Sequence, residues 1–382
     1  MKPCDCIDPA TADRIAVLRA NALGDFIVAL PALAALRARF PAARITLFGK
    51  PWVHDFLHGQ PGPVDEVIAV PDPVLAEPDA HPEFFAPLRA RHFDLGLQWH
   101  GGGRTSNQFV RALGAQLTAG WRAADGPALD RNLPYDATQP VALHLLEAAA
   151  LVGVGATLYS PATSPACAAG RAAGTPPTLA TRLPLTPADH ALAARLLAPD
   201  ARPLVVLQPG STDPRRCWPA TQFAALGNAL AARGLRVAVH GAPREHGLVD
   251  SIVAGMRAPA AALCGDFSLR TLAALLAKSA LLVGSDSGPV HLARAVGTPT
   301  VAIMWIGNLR PWGPLSTVRD RVAVSWQMQC SVCGAENIRM RCAHDPSFTD
   351  AVTVEEVLAL ASALLEDKQF IERGEHIRHL DA

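Results

Sequence analysis

The sequence predicts an α/β fold in which two Rossmann-like domains face a central cleft. Short apolar runs without in-and-out alternation recur along the chain, separated by amphipathic stretches rich in Ala, Leu and Arg. Such runs are typical of parallel strands covered by helices on both faces, and their alternation with helices favours a parallel sheet. A segment rich in proline, glycine, serine and threonine near 155–186 interrupts the pattern and predicts a linker between two halves.

The first half contains the first group of these elements. Residues 1–13 are predicted to form an N-terminal extension and residues 14–175 the first domain. Its predicted strands are the apolar runs at 15–20, 43–49, 66–70 and 93–99. A helix is predicted over 26–40, where FIVALPALAALRARF follows the first strand.

The alternation of strands and helices restarts after the linker, which predicts a second domain over 186–365. Helices are predicted over PADHALAARLLA, 220–233, 244–256 and 268–278. Strands are predicted at 203–210, 235–241, LLVGSD and TVAIMW. The charged tail, residues 366–382, either packs back on the first domain or is loose.

Composition limits the class of protein. Of 382 residues, 50% are hydrophobic and 18% are charged, which suffices for two buried cores. The 34 basic and 34 acidic residues balance, so a general electrostatic interaction with nucleic acid is not expected. Neither a membrane-spanning run nor a secretory signal is recognised, which predicts a cytoplasmic location with mostly reduced cysteines among the eight present.

The turn after the first strand, RANALGDF, is the first of three unusual strand ends. Gly24 allows a ligand to approach the backbone, and Asp25 lies at a helix start. Asp25 is either a reactive carboxylate or an N-cap. The turn lacks the GxGxxG spacing of a dinucleotide fold, which disfavours a nicotinamide enzyme.

The second turn, QPGSTDPRRCWP, follows a predicted buried strand. Gly210, Ser211 and Thr212 offer backbone N–H groups and hydroxyls, and Arg215 and Arg216 add two cations. This combination suits a leaving phosphate, because converging donors gain strength as negative charge builds up. The alternative is a solvated basic loop.

The third turn is SDSGPVH. A helix beginning after Asp286 directs the N–H groups of Ser287 and Gly288 at the predicted cleft, and Pro289 suits its first turn. Asp286 itself would repel a phosphate, so it either caps the helix or accepts hydrogen bonds from a sugar. His291 either contacts the ligand or is a packed helical residue.

Two weaker features also follow predicted strands. In HGAPREH, Glu245 either accepts the ribose hydroxyls of a nucleotide or is a first-turn acid stabilised by the helix dipole. In HGGGRTSNQ, residues 100–108, Arg104 either contacts an acceptor phosphate or sugar or belongs to a plain flexible loop.

Taken together, these motifs resemble glycosyltransferase family 9, the heptosyltransferases of lipopolysaccharide core assembly. VLRANALGDFIVALPALAALRARFP is similar to the family's amino-terminal signature, and DSGPVHLARAVGTP to its carboxy-terminal one. QPGSTDPRRCWP and HGAPREH resemble two further segments of the family. Four motifs in the family's order, within about 14–306, are more specific than any one of them.

The resemblance implies a fold, a reaction and a set of roles. The fold would be of the GT-B type, with the acceptor on the first domain and the nucleotide sugar on the second. Asp25 would be the general base, Arg216 would replace a lysine of several relatives in stabilising the leaving diphosphate, and Glu245 would bind the ribose. The sequence leaves open whether Arg215 or Arg216 faces the diphosphate. The turn 286–291 would bind diphosphate and sugar.

The reaction implied is an inverting single displacement without a cofactor or catalytic metal. Its donor would be ADP-heptose, and its acceptor a lipopolysaccharide core or related surface glycan. A lipid-linked acceptor implies peripheral association with the inner face of the cytoplasmic membrane. Two alternatives remain: a sugar-nucleotide hydrolase or epimerase of similar architecture, and a non-catalytic sugar-nucleotide binder.

The segment CSVCGAENIRMRCAH, residues 330–344, has a pattern of its own. It contains a CxxC pair, a third cysteine and a histidine, which are zinc-binding residue types. They either hold a structural zinc or are free thiols or a disulfide. The four residues are Cys330, Cys333, Cys342 and His344.

Overall fold

The computed structural model describes residues 8, 11–57, 59–60, 62–154, 183–265, 267–337 and 340–372, with side chains as far as 366. The chain divides into two compact units, Met1–Pro184 and Leu185–Ala382. Most of the predicted extension 1–13 and linker 155–186 lies outside the described residues.

The first unit contains one fully parallel sheet with helices in the connections. Its described strands are β1 (Arg14–Leu18), β2 (Arg44–Gly49), β3 (Glu66–Ala69), β4 (Leu95–Gln98), β5 (Leu117–Arg122) and β6 (Arg131–Pro134). Its described α-helices are α1 (Leu23–Ile27), α2 (Leu30–Arg39), α3 (Pro51–Leu57), α4 (Asp72–Ala76), α5 (Pro82–Arg89), α6 (Ser106–Ala112) and α7 (Val141–Ala150).

The second unit has the same plan. Its described strands are β7 (Leu204–Gln208), β8 (Arg236–Gly241), β9 (Ala260–Cys264), β10 (Leu281–Ser285), β11 (Thr300–Trp305) and β12 (Asp320–Ser325). Its described α-helices are α8 (Pro187–Ala193), α9 (Ala220–Ala231), α10 (His246–Gly255), α11 (Leu269–Lys278), α12 (Gly288–Ala295), α13 (Ile306–Trp312) and α14 (Val354–Glu372).

Both sheets reverse their strand order at one internal point. The orders are β3-β2-β1-β4-β5-β6 and β12-β11-β10-β7-β8-β9, so β1 lies beside β4 and β7 beside β10. All of these pairs are parallel, with Leu18 opposite Gln98 and Gly284 opposite Gln208. Ligands of such sheets bind beyond the carboxyl ends of the strands at this reversal point. The two pairs of strand ends are therefore where functional residues are expected in each unit.

Apolar strand residues explain both cores. In β1, Ile15 through Leu18 are fully buried, and in β10 the same holds for Leu281 through Val283. Helix α14 completes the core of the second unit with Val357, Ala361 and Leu364, and it continues past the predicted boundary at 365. The rest of the predicted tail, residues 373–382, lies outside the described residues.

The predicted helix over 26–40 is in fact two helices. Helix α1 ends at Ile27 and α2 starts at Leu30, with Pro31 in its first turn. Proline has no N–H to donate to the carbonyl four residues earlier, so a continuous helix would lose a hydrogen bond there. Among the described residues, no helix combines the length and the apolarity that a membrane-spanning segment requires.

Candidate active site

Asp286 is the centre of the predicted ligand site in the second unit. It follows β10 directly, and its side chain is only 6% exposed. Its Oδ2 accepts hydrogen bonds from Arg216 Nη1 at 3.1 Å and from Asn308 Nδ2 at 2.8 Å. Sequence reasoning missed Asn308, which reaches the site from α13. Asp286 therefore holds a cation and an amide in place at the carboxyl end of β10.

The two adjacent arginines have different surroundings. Arg215 pairs with Asp213, with Nη2 2.7 Å from Oδ2, and its guanidinium lies 4.6 Å from the centre of the Phe348 ring. Arg216 instead joins Asp286 and donates to Thr212 Oγ1 at 2.7 Å. Both arginines belong to one short 3₁₀ turn, Pro214–Arg216, which Asp213 caps. Arg216 is thus the member of the pair that lies with the predicted site residues.

Two buried donors at this site have no hydrogen-bond partner in the part of the chain that the structure describes. They are the Oγ of Ser287 and the Nε of Arg216. Ser287 is the N-cap of α12, whose first N–H groups are unpaired by geometry and favour an anion. Ser211 Oγ donates to the Asp286 carbonyl at 3.1 Å, which ties the first loop to the second. The site therefore presents unused donors beside a fixed cation.

His291 lies in helix α12 next to Asp286. It is buried inside α12, with Nε2 4.0 Å from Asp286 Oδ1 and its ring edge-on to Trp312. Burial, and then the charge of Arg294, lower the pKa of His291 to about 4 against the opposing effect of Asp286. The ring is therefore neutral at neutral pH and offers a hydrogen bond rather than a charge.

Glu245 lies against the end of β7. Its Oε2 accepts the Ala242 N–H at 2.8 Å, which caps the turn after β8. A Cβ atom at Gly210 would come within 2.3 Å of the Glu245 carboxylate. Only glycine therefore fits at position 210 while Glu245 occupies this place.

The carboxyl ends of β1 and β4 carry the candidate residues of the first unit. Helix α1 begins at Leu23 with Ala22 as N-cap, so the alternative that Asp25 caps this helix is wrong. Gly24 precedes Asp25 in the first turn of α1. The Asp25 side chain is 26% exposed, and its Oδ1 lies 3.4 Å from Arg19 Nη2. The acid is thus accessible and next to a cation.

Arg19 and His100 are the residues here that sequence reasoning missed as candidates. Arg19 is buried and donates to the Asp25 carbonyl at 2.7 Å and the Trp99 carbonyl at 2.6 Å. Burial lowers its pKa to about 10, which still leaves it protonated at neutral pH. Burial, with the charges of Arg19 and Lys50, lowers the pKa of His100 to about 4. Their signal in the sequence is that each follows a strand at the reversal point.

Arg104 lies in a well-bonded loop. The Arg104 side chain is exposed, and its Nε donates to Asp125 Oδ2 at 2.6 Å. Ser106 Oγ donates to the His100 carbonyl at 2.6 Å, which fixes the start of the loop. Gly103 has a φ of +88°, and a Cβ there would lie 2.7 Å from the Trp121 carbonyl. The loop therefore has a defined shape, with Arg104 on its surface.

The structure also brings together the four predicted metal-binding residues. One candidate ligand atom from each lies within 4.8 Å of those of the other three. The cysteines among them are free thiols rather than disulfide partners. We call this group the cysteine–histidine cluster; it consists of Cys330, Cys333, Cys342 and His344.

Comparisons with known proteins show what this chain is similar to. A family model described as glycosyltransferase family 9 (heptosyltransferase) matches residues 83–344. Lipopolysaccharide heptosyltransferase 3 of Escherichia coli is 35% identical over 115 residues, which are 29% of this chain and 34% of that protein. The chain therefore matches about a third of the length of this relative. The match of the family model includes the site of the second unit but not Asp25.

Two solved structures share the fold. The glycosyltransferase family 9 protein of Veillonella parvula has a TM-score of 0.74 and 21% identity over 95% of this chain and 99% of its own. The ADP-heptose lipopolysaccharide heptosyltransferase II of Escherichia coli has a TM-score of 0.69 and 21% identity over 93% of this chain and 99% of its own. The predicted α/β class with two Rossmann-like, GT-B type domains is confirmed, and so is the resemblance to the family.

Proposed function

The chain belongs to glycosyltransferase family 9, and on this premise we propose that it transfers a heptose from ADP-heptose to a lipopolysaccharide core or a related surface glycan. The donor is supported by the structural relative whose name includes ADP-heptose. The acceptor class is supported by the relative named as a lipopolysaccharide heptosyltransferase. The geometry of each unit supports the roles of individual residues.

The observation that carries the proposal is the group of donors at the carboxyl ends of β7 and β10. When the glycosidic bond breaks, ADP leaves with additional negative charge on its terminal phosphate. Arg216 and the N-terminus of α12 supply fixed positive charge and dipoles for that charge. Ser287 Oγ and Arg216 Nε have no hydrogen-bond partner among the described residues, and they are the donors that phosphate oxygens would satisfy. In this proposal no metal is needed at the reacting centre.

Asp25 is the proposed general base of an inverting displacement. It accepts the proton of an acceptor hydroxyl while that oxygen bonds to the anomeric carbon and the bond to ADP breaks. The neighbouring Arg19 remains positively charged at neutral pH, and its Nη2 lies 3.4 Å from the Asp25 carboxylate. The 26% exposure of the Asp25 side chain leaves it accessible to an acceptor.

The remaining site residues have proposed roles in binding. Glu245 accepts the ribose hydroxyls of the donor with the carboxylate oxygen that does not cap the turn. Asp286 orients Arg216, and the neutral His291 ring contributes a hydrogen bond to the sugar or phosphate. Arg104 contacts the acceptor. Peripheral association with a membrane surface stays a prediction.

Asp25→Asn tests the proposal by separating turnover from binding. We expect the variant to bind ADP-heptose as the wild type does, because Asp25 belongs to the other unit from the donor residues, but to lose transfer to a truncated core acceptor. Mass spectrometry of the acceptor measures transfer, and calorimetry measures donor binding. Asp55→Asn is the matched control, since Asp55 lies in the same unit with an 87% exposed side chain.

Three outcomes would contradict the proposed function. ADP release that does not require an acceptor would indicate a hydrolase. Binding of ADP-heptose without any turnover by the wild type would indicate a sugar-nucleotide binder. Retained transfer in Asp25→Asn would remove this residue from the role of base.

A further inference from the structure

We propose that the cysteine–histidine cluster binds one structural zinc ion, and that this ion holds in place the loop that carries Arg216. The first part is independent of the reaction. The second part rests on the proposed function, because it assigns Arg216 to the donor site.

The geometry of the cluster is close to that of a tetrahedral metal site. Its four ligand atoms lie within 4.8 Å of one another. Zinc–sulphur bonds of about 2.3 Å in a tetrahedron place the sulphur atoms about 3.8 Å apart. The ligand atoms therefore need to move inward by about 1 Å or less to enclose an ion, which the rotamers of short side chains can provide.

The conformation of the CxxC turn brings its two sulphur atoms to the same side of the chain. The Val332 N–H points at Cys330 Sγ, at an N···S distance of 3.4 Å, which orients this sulphur atom. Gly334 has a φ of +72°, and its N–H donates to the Cys330 carbonyl at 2.9 Å. This conformation, which favours glycine, folds the chain back so that the sulphur atoms of Cys330 and Cys333 face the same point.

The donor set favours zinc in a structural role. Three thiolates and one imidazole are the borderline-soft ligands that zinc binds in structural sites. Four protein ligands complete a tetrahedron and leave no open position for a substrate or water. The chemistry is therefore that of a closed structural site rather than a catalytic one.

The segment around the cluster lacks the apolar burial that would order it without an ion. Between Met328 and His344, most of the described side chains are exposed, including those of Val332 and Met340. No helix or strand is assigned between 326 and 353 among the described residues. A bound metal replaces a missing hydrophobic core in segments of this kind.

The residues just after His344 connect the cluster to the loop that carries Arg216. The Asp345 carboxylate lies 3.5 Å from Arg215, and the Phe348 N–H donates to the Arg215 carbonyl at 2.6 Å. Ser347 Oγ donates to the Cys217 carbonyl at 3.3 Å. The segment 345–348 is thus bonded to the residues on both sides of Arg216.

The stacked ring of Phe348 holds the end of the segment 345–348 that lies farthest from the cluster. The Phe348 ring is buried between Arg215 and Trp305, with 4.3 Å between the ring centres of Phe348 and Trp305. The Trp305 Nε1 donates to the Gln327 carbonyl at 2.8 Å, just before the CxxC turn. An ion that fixes the cluster therefore fixes both ends of the segment that contacts the Arg216 loop.

Metal analysis of the purified full chain tests the first part. We expect one zinc per chain by mass spectrometry of the metals, with other transition metals far below that level. Cys333→Ser should lose the zinc, since Cys333 is exposed and its replacement removes one ligand without opening a core. Cys264→Ser is the matched control, because this cysteine is free and outside the cluster, and it should keep one zinc per chain.

Cobalt substitution adds a direct readout of geometry. Cobalt bound to the protein after zinc removal should give the visible absorption of a tetrahedral cobalt–thiolate site, and Cys333→Ser should not. A wild type that contains no zinc after growth with added zinc would overturn the site, and so would stoichiometric iron or full retention of zinc in Cys333→Ser.

Hydrogen exchange of residues 211–217 tests the second part. We expect faster exchange in Cys333→Ser than in Cys264→Ser, together with weaker binding of ADP by Cys333→Ser than by the wild type. Equal exchange in the two variants would refute the connection to the Arg216 loop. The proposed function can fail separately from the metal site. A wild type that binds zinc but no ADP would reject the donor site and keep the metal site. A wild type that binds ADP but no zinc would reject the metal site and keep the donor site.

Discussion

Replacing Arg216 by methionine is the sharpest test of the donor site. The substitution removes the charge and both hydrogen bonds, to Asp286 at 3.1 Å and to Thr212 at 2.7 Å, while it keeps a long apolar side chain. Loss of one preorganised donor to a developing charge costs about 10²–10³ in kcat, roughly 2.7–4 kcal/mol. We expect a decrease in kcat of that size, with a smaller effect on KM.

Arg216→Lys separates charge from geometry. Lysine keeps the charge, but its single nitrogen cannot reproduce the planar fork that contacts Asp286 and Thr212 and also leaves Nε for a ligand. Loss of one charge-assisted hydrogen bond, about 1.5 kcal/mol, predicts a kcat about tenfold below the wild type. Both rates are measured by mass spectrometry of the heptosylated acceptor under saturating ADP-heptose.

Stability must be distinguished from catalysis in this test. Arg216→Met leaves the buried Asp286 carboxylate without its arginine, which destabilises the fold by roughly 1–3 kcal/mol. The double variant Arg216→Met/Asp286→Asn replaces that charge by a neutral amide. We therefore expect the double variant to recover much of the melting temperature while its kcat stays low.

The control for Arg216→Met is Arg257→Met, which removes an exposed arginine of the same unit. We expect the control to transfer heptose at the wild-type rate. If kcat of Arg216→Met stayed within about threefold of the control, a difference of about 0.7 kcal/mol, Arg216 would have no role in stabilising the leaving group.

Two further predictions concern binding and stability. Gly210→Ala should raise the Kd for ADP at least about tenfold, because the new Cβ would displace the Glu245 carboxylate and the loss of one hydrogen bond between that charged group and the ribose costs about 1.5 kcal/mol or more. Calorimetry measures the Kd, and Gly247→Ala, with open space around it, should leave it unchanged. The buried pair with Arg270 lowers the pKa of Asp189 from 3.8 to about 2, so the ionised acid stabilises the fold above about pH 4. This stabilisation, about 2–2.5 kcal/mol, should fade as pH falls from 4 towards 2 in urea unfolding, and an equally steep loss in Asp189→Asn would contradict it.

The sequence predicts the central strands of both sheets better than the outer ones. In β1 and β10, uninterrupted apolar runs are covered on both faces, and the amino-acid pattern of these strands is sufficient to identify them. The strands β6 (RNLP) and β12 (DRVAVS) are edge strands with partly exposed polar residues, so they lack that pattern. These edge strands are fixed by pairing with a neighbouring strand, such as Leu133 beside Trp121. Pairing of this kind cannot be recognised in the sequence of a single short segment.

The site shows the same division between local and distant information. The turns that hold Asp25, Arg216 and Asp286 are predictable, because each directly follows an apolar run. The proximity of Arg19 and His100 is not predictable in this way. About 80 residues separate the two in the sequence, and only the adjacency of β1 and β4 brings the two strand ends together. The choice between the adjacent arginines 215 and 216 depends on a short turn whose direction the sequence leaves open.

The two reversal points use ion pairs in opposite ways. In the first unit a buried arginine supports a partly exposed carboxylate, as Arg19 does for Asp25. In the second unit the buried member is the carboxylate of Asp286, which supports the more exposed guanidinium of Arg216. A carboxylate at an anion site would be unfavourable if it faced the phosphate, but a buried one that is paired with an arginine repels the anion less and holds the cation in position. In each unit the buried charge therefore positions the more accessible partner, which is the group for which we propose a role in reaction or binding.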